Sequence, residues 1–215
     1  MKRYIAIILM LSFCVCAINA QSSAVDLNKY KKVRQSFDYV DLELPGGVLW
    51  ATCNVGAEKP EDYGLYFAWG ETKGYRTNDV HSFDRNNYNY KSNPKALPSS
   101  HDAATVNMGS DWRMPTQKEL RDLINGQYTI TERTTLNGVY GLKITSKRNG
   151  NSIFLPAAGY RYDAYVYNQG SFGYYWSSSV SDSYNARGLY FNSSNISTDN
   201  DGRSDGRSVR GVRAR

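Results

Sequence analysis

From Tyr39 to Leu44 the apolar Val40, Leu42 and Leu44 alternate with Asp41 and Glu43, the period of a half-buried strand. Pro45-Gly46 follows, predicting a type II turn in which Gly46 takes the positive φ, and Val48 to Ala51 returns as a second strand. Residues 71–110 are polar and show no sustained period, which predicts long loops packed over the domain. Thr116 opens a helix: its hydroxyl can accept from the amide of Glu119 while the Glu119 side chain reaches back, as in a capping box. Leu120, Leu123 and Ile124 then fall on one face, and Asn125-Gly126 ends the helix. Leu142 to Lys147 and Ser152 to Leu155 flank Arg148-Asn149-Gly150-Asn151, a strong hairpin signal. Further on, Leu189 and Phe191 face a core while Tyr190 and Asn192 point outward. One short helix among many strands and long loops predicts an α+β class.

The ends of the chain change this picture. Lys2 and Arg3 precede an apolar run from Tyr4 to Ala17, and Ala17 and Ala20 stand before a polar stretch. That is the pattern of a secretory signal peptide over residues 1–20, too short and one-sided for a stable membrane span. Residues 21–37 read as a leader or linker, and residues 38–215 as one domain. The mature chain is expected to be exported, at the cell surface, associated with the outer membrane or secreted, without a transmembrane segment. Phe13 and Val15, which precede Cys14 and Cys16, argue against a lipidated cysteine. Loss of the signal leaves Cys53 alone, which excludes an intramolecular disulfide framework and a Cys-based metal site.

The tail from Tyr160 to Arg215 has no Lys, Glu or Met, and holds eight Tyr, eleven Ser, five Asn, five Asp and six Gly. Residues 1–159 contain seventeen Lys and Glu, so chance does not account for their absence here. Tyr with Ser, Gly and Asn is the composition of binding loops, because Tyr offers a large amphipathic surface at low rotamer cost. Tyr160, Tyr162, Tyr165 and Tyr167 recur at spacings of two or three, a pattern read as letting a subset of them share one face of an extended segment, provided it is a strand. Tyr174, Tyr184 and Tyr190 are expected aromatic anchors, with Asn168, Asp182, Asn185, Arg187, Asn192 and Asn195 as polar contacts. Trp176, Leu189, Phe191 and Val209 would be the framework beneath. The formal charge of +6 falls to +4 without Lys2 and Arg3, a mild balance, and Arg203, Arg207, Arg210, Arg213 and Arg215 read as a solvated basic end, the alternative being a cluster that attracts polyanions such as acidic glycans. The partner expected is an extracellular protein or glycan, not a nucleic acid, and the sequence sets no oligomeric state.

Catalytic and metal chemistry have little support. His101-Asp102 lacks a Gly-x-Ser-x-Gly partner, no His-Glu-x-x-His occurs, and His81 and His101 read as loop residues. Asp199-x-Asp201-Gly202 with Asp205 lacks the calcium-loop spacing and reads as a polar turn. No catalytic residue, metal or cofactor is expected, and the chain is not expected to be an enzyme.

Several segments together resemble a known family. Tyr39-Val40-Asp41-Leu42, the run Leu49 to Ala57, Pro60 to Gly64 and Tyr66 to Thr72 are similar to the opening of the Fibrobacter succinogenes major paralogous domain. Trp112-Arg113-Met114-Pro115-Thr116 with Glu119, Phe154 to Gly159, Tyr175 to Ser179 and Ser208-Val209-Arg210 continue the resemblance, which covers about residues 39 to 213. It implies a C-type-lectin-like or formylglycine-generating-enzyme-like single domain whose chain ends meet and whose long loops form one binding face. Gly211 stands where that family usually has Pro. The tail also resembles the variable region of retroelement-diversified proteins, in which Asn codons mutated at adenines cannot reach Lys, Glu, Gln, Met or Trp. Only Gln169 and Trp176 break that exclusion. A degenerate enzyme of the formylglycine-generating type would instead need a deep pocket holding Cys53 or His101. A structural surface or matrix protein would have no exposed aromatic face.

Overall fold

The structure, a computed structural model, describes residues 37–79, 84–95 and 97–215. The expected signal peptide, His81 and all of the leader except Phe37 lie outside the described residues. Along the chain run β1 (Tyr39–Asp41), β2 (Val48–Ala51), α1 (Ala103–Met108), β3 (Trp112–Arg113), α2 (Gln117–Leu123), β4 (Thr129–Leu136), β5 (Val139–Ser146) and β6 (Ser152–Pro156). Then follow β7 (Tyr160–Tyr162), β8 (Tyr165–Tyr167), β9 (Gly173–Val180), β10 (Asn185–Phe191), β11 (Ile196–Gly202) and β12 (Val212–Ala214). The sheet orders are β1-β2-β12-β3, β4-β5-β6, β7-β8 and β11-β10-β9. Every pairing between named strands is antiparallel, and β12 lies between β2 and β3, so both ends of the described domain share one sheet.

The expected α+β class, with its lectin-like or formylglycine-generating-enzyme-like architecture, does not hold. Strands take 39% of the described residues and helices 11%, so the fold is predominantly β, built from several small antiparallel sheets. The physical reason lies in the helices. The six residues of α1 and seven of α2 are too short to form a layer of their own.

Local signals near the start survive with one change. The amide of Gly47 donates to the carbonyl of Leu44 at 2.9 Å, and Gly47, not Gly46, has the positive φ, 64°. The Pro45-Gly46 turn is therefore not type II, and the glycine that escapes steric strain stands one residue later than expected. The Asn149-Gly150 hairpin joins β5 to β6 in the register Thr145↔Ser152. A second Asn-Gly signal, Asn137-Gly138, is absent from the sequence reading. Both residues have positive φ, 47° and 84°, and close the β4–β5 hairpin between the opposed Leu136 and Val139, the conformation of a type I′ turn.

Two apolar clusters fill the interior. One gathers Leu42, Trp50, Leu120, Leu142, Leu189 and Phe191, and the other Phe67, Trp69, Trp112, Met114, Trp176 and Val209. Strand β9 divides them, because successive side chains point to opposite faces: Tyr175 enters the first and Trp176 the second. Tyr174 and Tyr190 share the Trp176 face but lie one step beyond it on β9 and β10, and both are only half-buried.

Helix α2 has the expected capping box, with Thr116 bonded to the Glu119 amide and the Glu119 carboxylate accepting the Thr116 amide at 2.8 Å. Glu119 also takes two bonds from Arg113, Nη1 to Oε2 at 2.8 Å and Nη2 to Oε1 at 2.6 Å. Burial pushes the Glu119 carboxyl up, but the Arg113 and Thr116 hydrogen bonds outweigh it and hold it below its ordinary value. A carboxylate lowered in the folded state contributes stability above its unfolded pKa and loses it as pH falls through the folded one. Asp102, which caps α1 and accepts the Met114 amide, is raised by burial, so its titration favours the folded state as pH falls. Glu119→Gln isolates the first effect. It is expected to cost about 2 kcal/mol at neutral pH and to flatten the loss of stability below about pH 4.5, read from urea unfolding across pH.

Candidate ligand-binding face

Strands β7 and β8 form a hairpin in which Tyr160 opposes Tyr167 and Tyr162 opposes Tyr165. The four tyrosines do not lie along one extended segment, as the spacing had implied. Asp163, with φ of 50°, reverses the chain, and directly opposed residues of an antiparallel pair project to the same side. Arg161, between them, points inward: it is fully buried and donates to the carbonyls of Arg76, Thr77 and Asp79. The hairpin is thereby tied to the segment 76–79, and through its backbone to Gly206.

The rings continue onto the β9–β10 sheet. Tyr160 lies 5.7 Å from Tyr167 and 5.1 Å from Tyr174, Tyr174 lies 5.2 Å from Tyr190, and Phe172 stacks on Tyr174 at 6.2 Å with planes 6° apart. Tyr162 and Tyr165 meet the edge of Tyr167 at 6.3 and 6.4 Å. Seven aromatic side chains therefore form one contiguous strip, graded from half-buried Tyr174 and Tyr190 to Tyr165, which is 65% exposed.

Charged groups border the strip in compensated pairs. Arg207, itself 2% exposed, sits 4.8 Å over the Tyr174 ring and 4.5 Å over Trp176, and pairs with Asp201 at 2.5 Å. Arg85 lies 3.8 Å over the Tyr162 ring and pairs with Asp205 at 2.9 Å. Burial raises the Asp205 carboxyl, although Arg85 and Arg207 pull it down, and burial followed by the Asp205 charge raises the Tyr160 hydroxyl. Burial likewise raises Tyr174. The Asp199–Asp205 segment thus spends two carboxylates on arginines, and no group of three His, Cys, Asp or Glu suited to a metal exists among the described residues.

Arg203, Arg207 and Arg210 correct the expectation of a solvated basic end, since each is 2% exposed or less. Arg203 reaches the carbonyl of Ser92 and Oδ1 of Asn93, both at 2.8 Å, and lies 4.5 Å over Trp69. Planar guanidinium groups suit such burial, because they stack on rings while backbone carbonyls take their donors.

The expected site residues separate into two groups. Tyr160, Tyr162, Tyr165, Tyr167, Tyr174 and Tyr190 come together, joined by Asn168, which bonds the Tyr174 hydroxyl, and Asn192, whose Nδ2 donates to Tyr190 Oη at 2.5 Å. Asn192 Oδ1 also accepts the amide of the exposed Asn195 at 2.7 Å, closing the β10–β11 turn. Tyr184, Asp182, Asn185 and Arg187 belong to the opposite end of the β9–β10 hairpin, roughly 10–20 Å along the strand from Tyr190. There Asp182 serves the turn itself, accepting the amides of Tyr184 and Asn185 at 2.8 Å and the Asn185 side chain. Tyr184 is 82% exposed and apart from the strip. Phe172 in the strip and Arg85 and Arg207 at its border escaped sequence reasoning as site residues. Phe172 stands two before Tyr174, a spacing that could have found it, whereas nothing local marks Arg85 or Arg207.

A cavity of about 390 Å³ lies away from the strip, lined by Val40, Pro60, Glu132, Lys143 and Phe154 among others, and neither Cys53 nor His101 lines it. Residues 131–212 match a family described as a domain of unknown function (DUF8237). The chain is similar to that family over this stretch. The stretch takes in every ring of the strip and leaves out Arg85. No curated protein and no solved structure matches the chain. Among the described residues, no helix is long and apolar enough to cross a membrane.

Proposed function

We propose that this chain is an exported or cell-surface, non-enzymatic protein that recognises a protein or glycan through its tyrosine-rich C-terminal surface. The observation that carries this reading is the contiguity of the strip: seven rings from four strands and one loop meet, and Tyr162, Tyr165 and Tyr167 keep 40%, 65% and 44% of their surface in solvent. Exposed aromatic clusters of this kind mark interaction sites. A structural protein without a ligand gains nothing from leaving three neighbouring rings wet.

The same reading takes the chain as a member of the Fibrobacter succinogenes major paralogous domain family, with a tail diversified by a retroelement. The motif residues Trp50, Trp112 and Trp176 are buried framework, as that family would require. Of the two tail residues outside the set reachable from Asn codons, Trp176 is fully buried, and Gln169 bonds Tyr66 and Thr77 at 3.0 and 3.1 Å. Trp176 is scaffold, and Gln169, though exposed, is held by those two bonds, while the other exposed tail positions stay within the set. Substituting Ala for Tyr165, Tyr167 and Tyr190 together is expected to abolish binding on an array of glycans and surface proteins while the unfolding midpoint moves little. Retained binding would sink the assignment. A reverse transcriptase gene beside a near-copy of the tail differing at adenines is the expected genomic setting for diversification.

A further inference from the structure

We propose that the strip takes a neutral oligosaccharide, its sugar rings lying against Tyr165 and Tyr167 and its hydroxyls meeting Arg85, Asp201 and Asp205. The inference rests on the recognition reading above and names its ligand class. A pyranose is strongly hydrated at its edge yet presents a face of C–H groups with partial positive charge, which matches the negative face of an aromatic ring. Tyr165 and Tyr167 are 65% and 44% exposed, and their planes stand 68° apart. A single flat ligand cannot cover both faces. A chain whose successive rings turn relative to one another can.

The polar border points the same way. A hydroxyl donates one hydrogen bond and accepts others, so it is best met where a donor and an acceptor stand side by side. The Arg85–Asp205 pair at 2.9 Å offers that arrangement, its side chains 26% and 14% exposed, and Asp201, 37% exposed and paired at 2.5 Å with the buried Arg207, adds a further acceptor. Because each cation is matched by a carboxylate, a ligand carrying net charge of either sign would meet repulsion from one member of each pair. The immediate neighbours Asn168, Gln169 and Ser171 are exposed and polar. A protein hot spot is instead ringed by contacts that exclude water.

The test uses the mature chain on one array bearing neutral hexasaccharides (β-glucan, mannan, xylan), their uronic-acid counterparts, glucose and mannose monomers, and host surface proteins, with calorimetry on the hits. Binding to at least one neutral hexasaccharide is expected, with the monomers at least about tenfold weaker because they cover one ring only. Affinity should change less than about twofold between roughly 50 and 500 mM sodium chloride. The Tyr165→Ala, Tyr167→Ala double variant should lose at least about tenfold, while Tyr184→Ala, outside the strip, binds as the parent does. Circular dichroism and the unfolding midpoint check that both variants fold. Binding of proteins alone would overturn the glycan assignment and leave recognition standing. Binding of uronic acids alone, with steep salt dependence, would overturn neutrality. Equal loss in Tyr184→Ala would overturn the location, and an empty array would sink the recognition reading together with this one.

Discussion

Replacing Arg210 with methionine is expected to lower the free energy of unfolding by about 4 kcal/mol, which drops the melting temperature by roughly 10 °C in a domain of this size. The side chain is 1% exposed and meets no carboxylate among the described residues. Its donors go to Asn54 Oδ1 at 3.0 and 2.8 Å, to the carbonyls of Ala51 and Thr52 at 3.0 and 2.5 Å, and to the carbonyl of Phe154 at 2.9 Å. One guanidinium therefore joins the end of β2, the segment after it and β6. Burial holds its pKa below the ordinary arginine value, which records the desolvation cost of keeping a cation there. Methionine removes that cost but deprives three buried acceptor groups and the partly buried Thr52 carbonyl of this donor, at about 1–3 kcal/mol for each buried one, so the loss outweighs the relief. Lysine should recover little, since a single ammonium cannot reproduce the planar fork. Urea unfolding reads the effect as a lower midpoint with unchanged slope. A methionine variant as stable as the parent would show that desolvation dominates.

This arginine marks where the sequence stops being legible. Three patterns that act within about ten residues read correctly, the Thr116–Glu119 box, the Asn149-Gly150 hairpin, and the alternation that buries Leu189 and Phe191 and leaves Tyr190 half-exposed, whereas the Pro45-Gly46 turn type and the single extended tyrosine segment did not. Each depends on neighbours that a window of sequence contains. The pairing of β12 with β2 and β3 depends on partners more than 90 residues away, and nothing in Val212-Arg213-Ala214 specifies them. Counting charges placed Arg203, Arg207 and Arg210 in solvent, because a count does not see the carbonyls and rings that receive them.

The candidate site divides along the same line. Composition located the tyrosines, and two registers gathered six of them, four in the β7–β8 hairpin and Tyr174 with Tyr190 across β9 and β10. The same composition could not tell that Tyr184 sits at the far end of its hairpin, where Asp182 and Asn185 are consumed in turn bonds. Nor could it supply Arg85, which enters from a loop tied to the tail by the bond of its own amide to Asp163 at 3.1 Å. The candidate face is thus built from both sides of the boundary at Tyr160, although only one side carries the unusual composition.

Gly159→Ala is expected to displace the tyrosine hairpin, at a cost of more than about 3 kcal/mol, with loss of the tyrosine signal in near-ultraviolet circular dichroism. Gly159 stands where the chain leaves β6 for β7, with φ of 69°, and its amide donates to the carbonyl of Phe172 at 2.7 Å. The backbone of Tyr167 to Gln169 passes directly over its Cα, so a methyl group there would lie against the Tyr167 carbonyl and 2.7 Å from the Gln169 amide nitrogen. Backbone cannot rotate aside as a side chain can. The crossing segment must move, taking Tyr167 off Tyr160 and Gln169 off its bonds to Tyr66 and Thr77. Gly138→Ala is the matched control, because Gly138 has φ of 84° with no atom within 4 Å of the added methyl. It should cost only the strain of a left-handed alanine, about 1 kcal/mol, and leave the tyrosine signal unchanged. The difference between the two variants measures how tightly the crossing chain holds the strip in place. Equal losses would mean that the hairpin is not held by that crossing, and the contiguous aromatic face would lose its rigid support.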